Sequence, residues 1–348
     1  MEHRSNPIAR LAIVGAGFMG RLHAKAIASS DVAELVAIVD RDPEAAAVAQ
    51  TYGVPLHGSI EPLVGGRDVD GFVVSLPDRE HVETACELLE AGHAVLLEKP
   101  IADTLAGARR IADAATRGGA RLLVAHILRF DPRYTRAAAA VAAGELGEVV
   151  HLASGRLGVR DLGRRLGKSS SVLFYLGVHD VDLVQWISRR RIVRVSSFAA
   201  SRLMPSLGVD AEDVIVTNAE LEDGIVAQLH AGWTLRPDTP SPVNARTAVV
   251  CTDGALEIDV RDQGLRVHSS AGWQLPDALH WPETNGRLTG DLAEQLRHFV
   301  AAVMRDEPFL MEVDDAVSTA AVNDAILRSI ASGAVERVEQ PVARHPSS

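Results

Sequence analysis

The stretch ARLAIVGAGFMGRLHAKAIAS, residues 9–29, joins an apolar run, three closely spaced glycines and a helical pattern. Gly15, Gly17 and Gly20 follow the G-x-G-x-x-G spacing, which is typical of a tight turn between a strand and a helix. Asp40 ends the next predicted strand, where a dinucleotide site uses an acidic residue to bind the ribose hydroxyls. The stretch therefore predicts a strand, turn and helix that bind the pyrophosphate of a nucleotide cofactor at the helix N-terminus.

The rest of the first 126 residues repeats this alternation of strand and helix. Four further apolar runs, LVAIVD, VDGFVVSLP, AVLLEKP and ARLLVAH, are separated by helical segments. Strands that alternate with helices in this way indicate a parallel sheet covered on both faces. We expect residues 1–126 to form a doubly wound Rossmann domain that binds NAD(P).

A different pattern begins after residue 126. Short alternating strands, separated by turn signals such as EDG and TDG, run from about residue 192 to 268, and helices follow. This succession predicts a meander of antiparallel or mixed strands. Residues 127–340 are therefore expected to form an α+β domain on a large, open, mostly antiparallel sheet.

Composition limits the classes of partner. The net charge of −11 argues against a broad surface for nucleic acid or anionic membrane. No apolar run reaches membrane-spanning length, the N-terminus lacks the apolar region of a signal peptide, and Cys86 and Cys251 suggest no disulfide framework. No cluster has the spacing of metal ligands. We expect a cytoplasmic protein that holds no metal and acts on a small molecule.

Lysine is rare in this chain, since only Lys25, Lys99 and Lys168 stand among 35 basic residues. Lys99 ends the fourth predicted parallel strand, at the edge where ligands of such sheets bind. A lysine can polarise a substrate hydroxyl and exchange a proton, which arginine effectively does not do. The alternative is a surface lysine at a strand end. Pro100 forces a sharp exit from the strand and allows a cis peptide bond.

Five motifs occur in order: GAGFMG (15–20), VSLPDREH (74–81), EKP (98–100), RFDP (129–132) and GVHDVD (177–182). Together they resemble the Gfo/Idh/MocA family, the glucose–fructose oxidoreductase and inositol dehydrogenase group, over nearly the whole chain. The resemblance implies a Rossmann domain followed by a domain with an open sheet that serves oligomerisation, as a homodimer or homotetramer. It also implies NAD(P)-dependent oxidation or reduction at a hydroxyl carbon of a sugar, cyclitol or derivative.

The resemblance also assigns residues. Lys99 matches the lysine of the family's EKP motif and His179 its catalytic histidine, while Asp182 helps to bind substrate or to hold the helix. Ser75, Pro77 and His81 match a segment that borders the cofactor. The residues expected at the cofactor are Gly15, Gly17, Phe18, Met19, Gly20, Asp40, Arg41, Ser75, Leu76, Pro77, His81, Glu98 and Lys99.

Two residues bear on the choice of cofactor. Asp40 favours NAD, because its carboxylate repels the 2′-phosphate of NADP. Arg41 weakens that preference, because an arginine can pair with the phosphate. We expect NAD, with NADP as the alternative.

Tyr175 departs from the family pattern, which places an aspartate four residues before the histidine. Side chains four apart share a helix face, so Tyr175 and His179 should point the same way. Either His179 is the acid/base and Tyr175 hydrogen-bonds the substrate, or Tyr175 transfers the proton with assistance from Lys99. We prefer His179. In a third alternative neither residue has a catalytic role, and both rings pack in the core.

A basic segment from Arg156 to Lys168 contains a single acidic residue. Arginine binds carboxylate and phosphate groups, so Arg156 is a candidate contact for an anionic sugar derivative. A solvated loop or an oligomer contact explains the segment slightly better. Arg129, in RFDP, is a second candidate contact and matches a framework segment of the family.

The leading hypothesis is an NAD-dependent oxidoreductase that acts on a secondary hydroxyl, or the ketone, of a sugar, cyclitol or sugar derivative. Lys99 and His179 handle the hydroxyl proton, and Tyr175 assists. Two alternatives remain: a redox-neutral, NAD-dependent glycoside-cleaving enzyme of similar fold, and a non-catalytic nucleotide-binding sensor.

Overall fold

The computed structural model describes residues 8–270 and 272–340. Its first sheet contains six parallel strands in the order β3-β2-β1-β4-β5-β6. These strands are β1 (Ala9–Val14), β2 (Ala33–Val39), β3 (Leu56–His57), β4 (Gly71–Val74), β5 (Ala94–Leu97) and β6 (Leu122–Val124). Both β4 and β5 are buried along their whole length, as expected for strands with helices on both faces. The order confirms the predicted doubly wound Rossmann sheet.

Five helices connect these strands: α1 (Phe18–Ala28), α2 (Ala45–Tyr52), α3 (Glu61–Val64), α4 (His81–Glu90) and α5 (Leu105–Gly118). The local sequence sets their ends. Thr104 caps α5, since its Oγ1 accepts a hydrogen bond from the N–H of Gly107 at 3.1 Å. The helix ends at Gly119, which takes the left-handed conformation that favours glycine.

The middle of the chain supplies most of a second sheet. The helices in this part of the chain are α6 (Pro132–Ala142), α7 (Arg160–Leu166), α8 (Val178–Ser188) and α9 (Leu203–Ser206). Its strands are β7 (Val149–Val159), β8 (Ile192–Ala200), β9 (Val214–Leu221), β10 (Val226–Leu235), β11 (Val243–Cys251) and β12 (Ala255–Asp259). A separate hairpin follows, formed by β13 (Val267–Ser269) and β14 (Gly272–Gln274).

The C-terminal part holds a short hairpin, two long helices and a final strand. These elements are β15 (Glu283–Thr284), β16 (Arg287–Leu288), α10 (Asp291–Arg305), α11 (Val313–Ser332) and β17 (Glu336–Arg337). The second sheet then has the order β12-β11-β7-β10-β9-β8-β17, in which only the β7–β10 pairing is parallel. The predicted open, mostly antiparallel sheet is confirmed.

The chain divides into two compact units whose limits differ from the predicted domain boundaries of 1–126 and 127–340. The first unit runs to Phe130 and also includes Leu279–Val317; the second comprises Asp131–Ala278 and the chain from Ser318 onward. Residues 279–317 join the first unit because α10 packs on α1, and the ring of Phe299 lies against Gly71 of β4. Within the described ranges, no helix combines the length and apolar character needed to cross a membrane.

Candidate active site

The glycine turn of the first unit follows β1 and admits side chains at some positions only. Gly15 has φ +94°, and a Cβ there would lie 2.7 Å from the carbonyl oxygen of Ser75. A Cβ on Gly20 would lie 1.9 Å from the carbonyl oxygen of Gly15. A Cβ on Gly17 would meet nothing within 4 Å. Gly15 and Gly20 are therefore needed for close packing, whereas Gly17 leaves open space at the turn, as a pyrophosphate site requires.

The N-terminus of α1 is suited to an anion. Gly17 is the N-cap residue and no side chain caps the helix, so the N–H groups of its first turn are available. Phe18 and Met19 are the first two helical residues. The Phe18 side chain is 54% exposed, and its ring meets that of Trp281 edge-on at 6.3 Å between centroids. The turn and helix start together fit the phosphates of a dinucleotide.

Asp40 is tied to the glycine turn. Its Oδ2 accepts a hydrogen bond from the backbone N–H of Ala16 at 2.7 Å, and its Oδ1 accepts one from the N–H of Asp42 at 2.8 Å. A carboxylate oxygen has two acceptor sites, so each keeps capacity for a ribose hydroxyl. A hydrogen bond thus joins this acid to the glycine turn within the first unit.

Arg41 has an acidic partner that the sequence analysis missed. Its Nη2 donates to Oε2 of Glu80 at 2.7 Å, although the Arg41 side chain is 80% exposed. Glu80 belongs to the short 3₁₀ turn before α4, distant in sequence from Arg41. An arginine paired in this way is less available to a 2′-phosphate, which supports the preference for NAD that Asp40 suggests.

The segment Ser75–Pro77 follows β4, and the backbone N–H of Ser75 donates to the carbonyl oxygen of Val14 at 2.7 Å. Leu76 lies against the glycine turn, with its Cδ2 3.1 Å from a Cβ built on Gly15. His81 is 1% exposed, and its Nδ1 and Nε2 lie 2.9 Å from the carbonyl oxygens of Pro100 and Leu76. His81 thus joins the segment after β4 to the segment after β5. The sequence analysis expected His81 to contact the cofactor itself.

Glu98 and Lys99 end β5 with different surroundings. Glu98 is 7% exposed, and its Oε1 lies 2.8 Å from Nε2 of the fully buried His23 on α1. Burial alone would raise the pKa of Glu98, but the hydrogen bond from His23 and the charges of Lys99 and His81 outweigh it and lower the pKa. Lys99 is partly buried, and its peptide bond with Pro100 is cis. His23 belongs to none of the motifs, so the sequence analysis did not identify it.

Arg129 lies in a 3₁₀ turn, Ile127–Phe130, and its side chain is 4% exposed. Its Nη1 donates to Oδ2 of Asp315, which belongs to the same unit, at 3.1 Å. This partly buried ion pair fits the framework role that the family pattern allows. It leaves little of the guanidinium accessible to a substrate.

In the second unit, Tyr175 lies in a π-helical turn, Leu173–Gly177, that leads directly into α8. The sequence analysis assumed an α-helix here, and the wider turn was not predicted. Turns of this kind often occur at functional sites. Because four residues span about one turn in either geometry, Tyr175 and His179 stay on the same side of the segment.

A carboxylate holds the start of this turn. Oε1 of Glu212 accepts hydrogen bonds from the hydroxyl of Ser171 and the N–H of Val172, both at 2.6 Å. The fully buried Trp233 donates through its indole Nε1–H to the carbonyl oxygen of Glu212 at 2.9 Å, and its ring lies 5.9 Å from that of Tyr175. Trp233 and Glu212 therefore fix the position from which Tyr175 extends.

His179 and Asp182 follow on α8 and differ in exposure. His179 is partly buried, whereas Asp182 is 2% exposed. The burial of Asp182 fits the second of its two expected roles, which is to hold the helix. His179 remains the better candidate for contact with a substrate.

Arg156 is buried in β7 at 4% exposure rather than in a solvated loop. Its Nε lies 3.4 Å from Oδ2 of Asp180, whose Oδ1 accepts a hydrogen bond from the hydroxyl of Ser154 at 2.7 Å. Burial opposes the charge of Arg156, but Asp180 and the phenol of Tyr134 outweigh it and raise the pKa of Arg156, while burial raises the pKa of Asp180. The burial of Arg156 leaves its guanidinium inaccessible to a substrate, so Arg156 is not part of the site proposed below. Arg160, Arg164 and Arg165 lie on α7, and Lys168 follows the end of that helix.

Comparison with known proteins places the two sequence regions in one family. Residues 9–126 match the oxidoreductase family with an NAD-binding Rossmann fold, and residues 134–257 match the GFO/IDH/MocA C-terminal domain. Inositol 2-dehydrogenase 1 of Saccharopolyspora erythraea is 30% identical over 348 residues, which cover 95% of this chain and 96% of that protein. The chain belongs to the Gfo/Idh/MocA family.

Two further comparisons are informative. A myo-inositol dehydrogenase of Streptomyces leeuwenhoekii is 31% identical over 254 residues, covering 71% of this chain and 75% of that protein. The crystal structure of scyllo-inositol dehydrogenase from Lactobacillus casei, solved with NAD(H) and scyllo-inositol, has a TM-score of 0.81 at 20% identity. That likeness covers 95% of this chain and 99% of the other, and it establishes the shared fold.

Proposed function

We propose that this protein is an NAD-dependent dehydrogenase that oxidises a secondary hydroxyl of an inositol-like cyclitol or a related sugar derivative, or reduces the ketone. The glycine turn tied to Asp40 carries the proposal. Gly17 leaves space at an uncapped helix start, and the carboxylate that would bind ribose is hydrogen-bonded to the same turn. The names of the relatives, inositol 2-dehydrogenase and myo-inositol dehydrogenase, support the cyclitol class.

The residues present fit NAD better than NADP. Asp40 offers acceptors to both ribose hydroxyls, and Glu80 occupies the guanidinium of Arg41. Bound NAD supplies the hydride acceptor at its nicotinamide ring. The protein supplies the binding groups and the groups that hold or move the hydroxyl proton.

Three side chains are proposed to handle that proton. In the first unit, Nζ of Lys99 donates a hydrogen bond to the substrate oxygen and stabilises its developing negative charge. In the second unit, an imidazole nitrogen of His179 accepts the hydroxyl proton, and the phenol of Tyr175 hydrogen-bonds the substrate. The family's aspartate would stabilise a protonated histidine, and a neutral tyrosine provides no such charge. The test must therefore distinguish His179 from Tyr175 as the proton acceptor.

We also propose a homodimer or homotetramer formed through the open face of the seven-stranded sheet. Phe198, Val216 and Val226 on this face are 67%, 37% and 53% exposed, and Phe198 pairs with Val216 across neighbouring strands. Exposed apolar side chains on one face of a sheet are typical of an interaction surface. The proposed location is the cytoplasm, in keeping with the unpaired Cys86 and Cys251.

The test has two stages. Binding of NAD and NADP is measured by calorimetry, and turnover of myo-inositol, scyllo-inositol, hexoses and uronates is followed by absorbance of the reduced nicotinamide. The proposal expects NAD binding and NADH formation with a cyclitol. Failure to bind NAD, or NAD binding without net NADH on any of these substrates, would overturn it. The second pattern would favour the redox-neutral or sensor alternative.

The proton-handling roles are tested by Lys99→Met, His179→Ala and Tyr175→Phe, each with a matched control. The controls are Lys25→Met, His151→Ala and Tyr52→Phe, which change the same residue types outside the proposed site. Loss of turnover in Lys99→Met and His179→Ala, with turnover retained in Tyr175→Phe, is the expected result. Retained turnover in His179→Ala together with loss in Tyr175→Phe would transfer the proton to the tyrosine.

A further inference from the structure

The segment Leu279–Gly290, which contains the β15–β16 hairpin and leads into α10, forms a loop whose two ends meet. The backbone N–H of Asp291 donates to the carbonyl oxygen of Leu279 at 2.9 Å. Gly290 has φ +83°, and a Cβ there would clash with the same carbonyl oxygen. Compact surface loops with joined ends are frequently functional. The loop therefore has a defined shape that a function can use.

This loop lies along α1. At the C-terminal end of that helix, the guanidinium of Arg287 donates through Nε and Nη2 to the carbonyl oxygen of Ser29, at 3.1 and 2.9 Å. The N–H of Leu288 donates to the Ser29 hydroxyl at 3.2 Å. At the other end of the 11-residue helix, about 16 Å away, Trp281 contacts Phe18. The loop is thus held at both ends of the helix that begins at the glycine turn.

Phe18 and Trp281 form an edge-on aromatic pair beside this turn. Their ring centroids are 6.3 Å apart at an interplanar angle of 78°, a geometry in which aromatic rings attract each other. Phe18 directly follows Gly17, the N-cap residue, and is 54% exposed. The contact with Trp281 therefore covers part of the Phe18 ring and leaves the remainder open at the start of the helix.

The surroundings of the pair point to a ligand. An exposed phenylalanine is common by itself, but this one borders uncapped helix N–H groups and the open space at Gly17. Ligand sites combine apolar and aromatic walls with a few polar groups that orient the ligand. In the first unit, the helix N–H groups and Asp40 provide the polar groups. Phe18 and Trp281 are positioned to provide an apolar wall.

An apolar wall beside a phosphate group has an electrostatic effect. Water weakens the attraction between a pyrophosphate and the helix N–H groups, because the interaction energy falls as the dielectric constant rises. Rings that exclude water from one side of the turn strengthen this attraction. Contacts of this kind change the rate of dissociation more than the rate of association.

We propose that Trp281, placed by the Leu279–Gly290 loop, packs with Phe18 over the pyrophosphate of bound NAD and slows its release. The inference rests on the NAD binding of the proposed function and does not depend on which substrate is oxidised. It adds to the cofactor site a residue that none of the sequence motifs contains. Neither ring takes part in proton transfer.

The first experiment observes Trp281 in the folded wild-type protein. Labelling with 6-fluorotryptophan gives a ¹⁹F signal for each of the four tryptophans, and Trp281→Phe and Trp273→Phe assign two of them. NAD should shift the Trp281 signal and reduce its isotope shift in D₂O, because the ligand excludes water from the ring. The signal of Trp273, which is 58% exposed on the β13–β14 hairpin, should not move. ADP-ribose, which has the pyrophosphate but no nicotinamide, should act like NAD.

The second experiment measures how tightly the protein holds NAD. Trp281→Ala should raise the Kd about tenfold, as expected when one apolar side chain loses its contact with a ligand. Stopped-flow displacement should show most of this change in the dissociation rate. Trp281→Phe, which keeps a ring, should lose less affinity, and the control Trp273→Ala should bind NAD like the wild type. An unchanged melting temperature without NAD shows that a variant is folded, and Phe18→Ala gives the same readout if Trp281→Ala fails to fold.

An unshifted Trp281 signal in protein that binds NAD by calorimetry would overturn the inference and leave the proposed function intact. Equal NAD affinity in the wild type and folded Trp281→Ala would also overturn it. A shift with NAD but none with bound ADP-ribose would contradict the assignment to the pyrophosphate. Absence of NAD binding would overturn both proposals. A shifted Trp281 signal in a protein that oxidises no cyclitol would contradict the proposed function and leave this inference standing.

Discussion

The carboxylate of Asp40 and the backbone N–H of Ala16 form a hydrogen bond of 2.7 Å that joins the end of β2 to the glycine turn. The acid that would bind ribose therefore also orders the turn that would bind pyrophosphate. Asp40→Ala should weaken NAD binding by about 10- to 100-fold, the loss expected when hydrogen bonds to a charged group disappear. Calorimetry with NAD measures this change. Asp42→Ala, which removes an exposed carboxylate two residues away, should bind NAD normally, and equal affinities in both variants would contradict the assignment.

The Arg41–Glu80 ion pair predicts a change in cofactor preference. Glu80→Gln leaves Arg41 without its acidic partner, so NADP affinity should rise, by up to about fivefold because exposed pairs are worth at most about 1 kcal/mol. NAD affinity should change little. Adding Arg41→Ala to Glu80→Gln should abolish the gain, and Glu83→Gln, on α4, is the matched control. Unchanged NADP binding in Glu80→Gln would mean that Arg41 lies away from the 2′-position.

The glycine turn predicts that two substitutions fail in different ways. Gly17→Val should preserve the melting temperature and lose NAD binding, because a Cβ there meets no protein atom within 4 Å. Gly20→Ala should lower the melting temperature, because its Cβ would lie 1.9 Å from the carbonyl oxygen of Gly15. Calorimetry and thermal unfolding separate the two effects. Normal NAD binding by Gly17→Val would show that the phosphates lie elsewhere.

Glu212 predicts a coupling between stability and turnover in the second unit. Glu212→Ala removes the acceptor for Ser171 and Val172, which should cost about 1 kcal/mol of unfolding free energy, as loss of a helix cap does. The π-helical turn that carries Tyr175 should then be less fixed, and kcat should fall several-fold. Asp210→Ala, a nearby exposed carboxylate, is the control. A stability loss without any change in kcat would separate this turn from catalysis.

The open face of the second sheet predicts an assembly that depends on Phe198. Phe198→Asp places a charge among exposed apolar side chains, so it should reduce the molar mass measured by light scattering. Val267→Asp makes the same kind of change on the separate β13–β14 hairpin and should leave the mass unaltered. A monomeric wild-type protein would overturn the proposed oligomer.

The parallel sheet was predictable because its strands are short apolar runs at regular intervals, and each run needs burial on both faces. The glycine turn and Asp40 were predictable because their spacing reflects local backbone geometry. The packing of residues 279–317 with the first unit could not be predicted. The pattern of α10 shows that one face of the helix must be buried, but it does not show against which sheet.

Site residues could be predicted where they belong to a recognisable motif. Their contacts with residues distant in sequence could not be predicted. Glu98 was expected at the cofactor, yet its burial against His23 depends on a helix far away in sequence. The sequence made Arg156 a candidate contact for an anion, whereas the fold buries it beside Asp180. The π-helical turn at Tyr175 depends on Glu212, a residue from another part of the second unit.

The division of the first unit into two sequence segments has a consequence during translation. The surface around Gly71 that the ring of Phe299 covers remains exposed until the segment ending at Val317 has left the ribosome. At bacterial or eukaryotic elongation rates this delay after Phe130 lasts about 10 to 40 s. The nascent nucleotide-binding half must therefore wait, with apolar surface accessible to chaperones, for a helix encoded far downstream of its own strands.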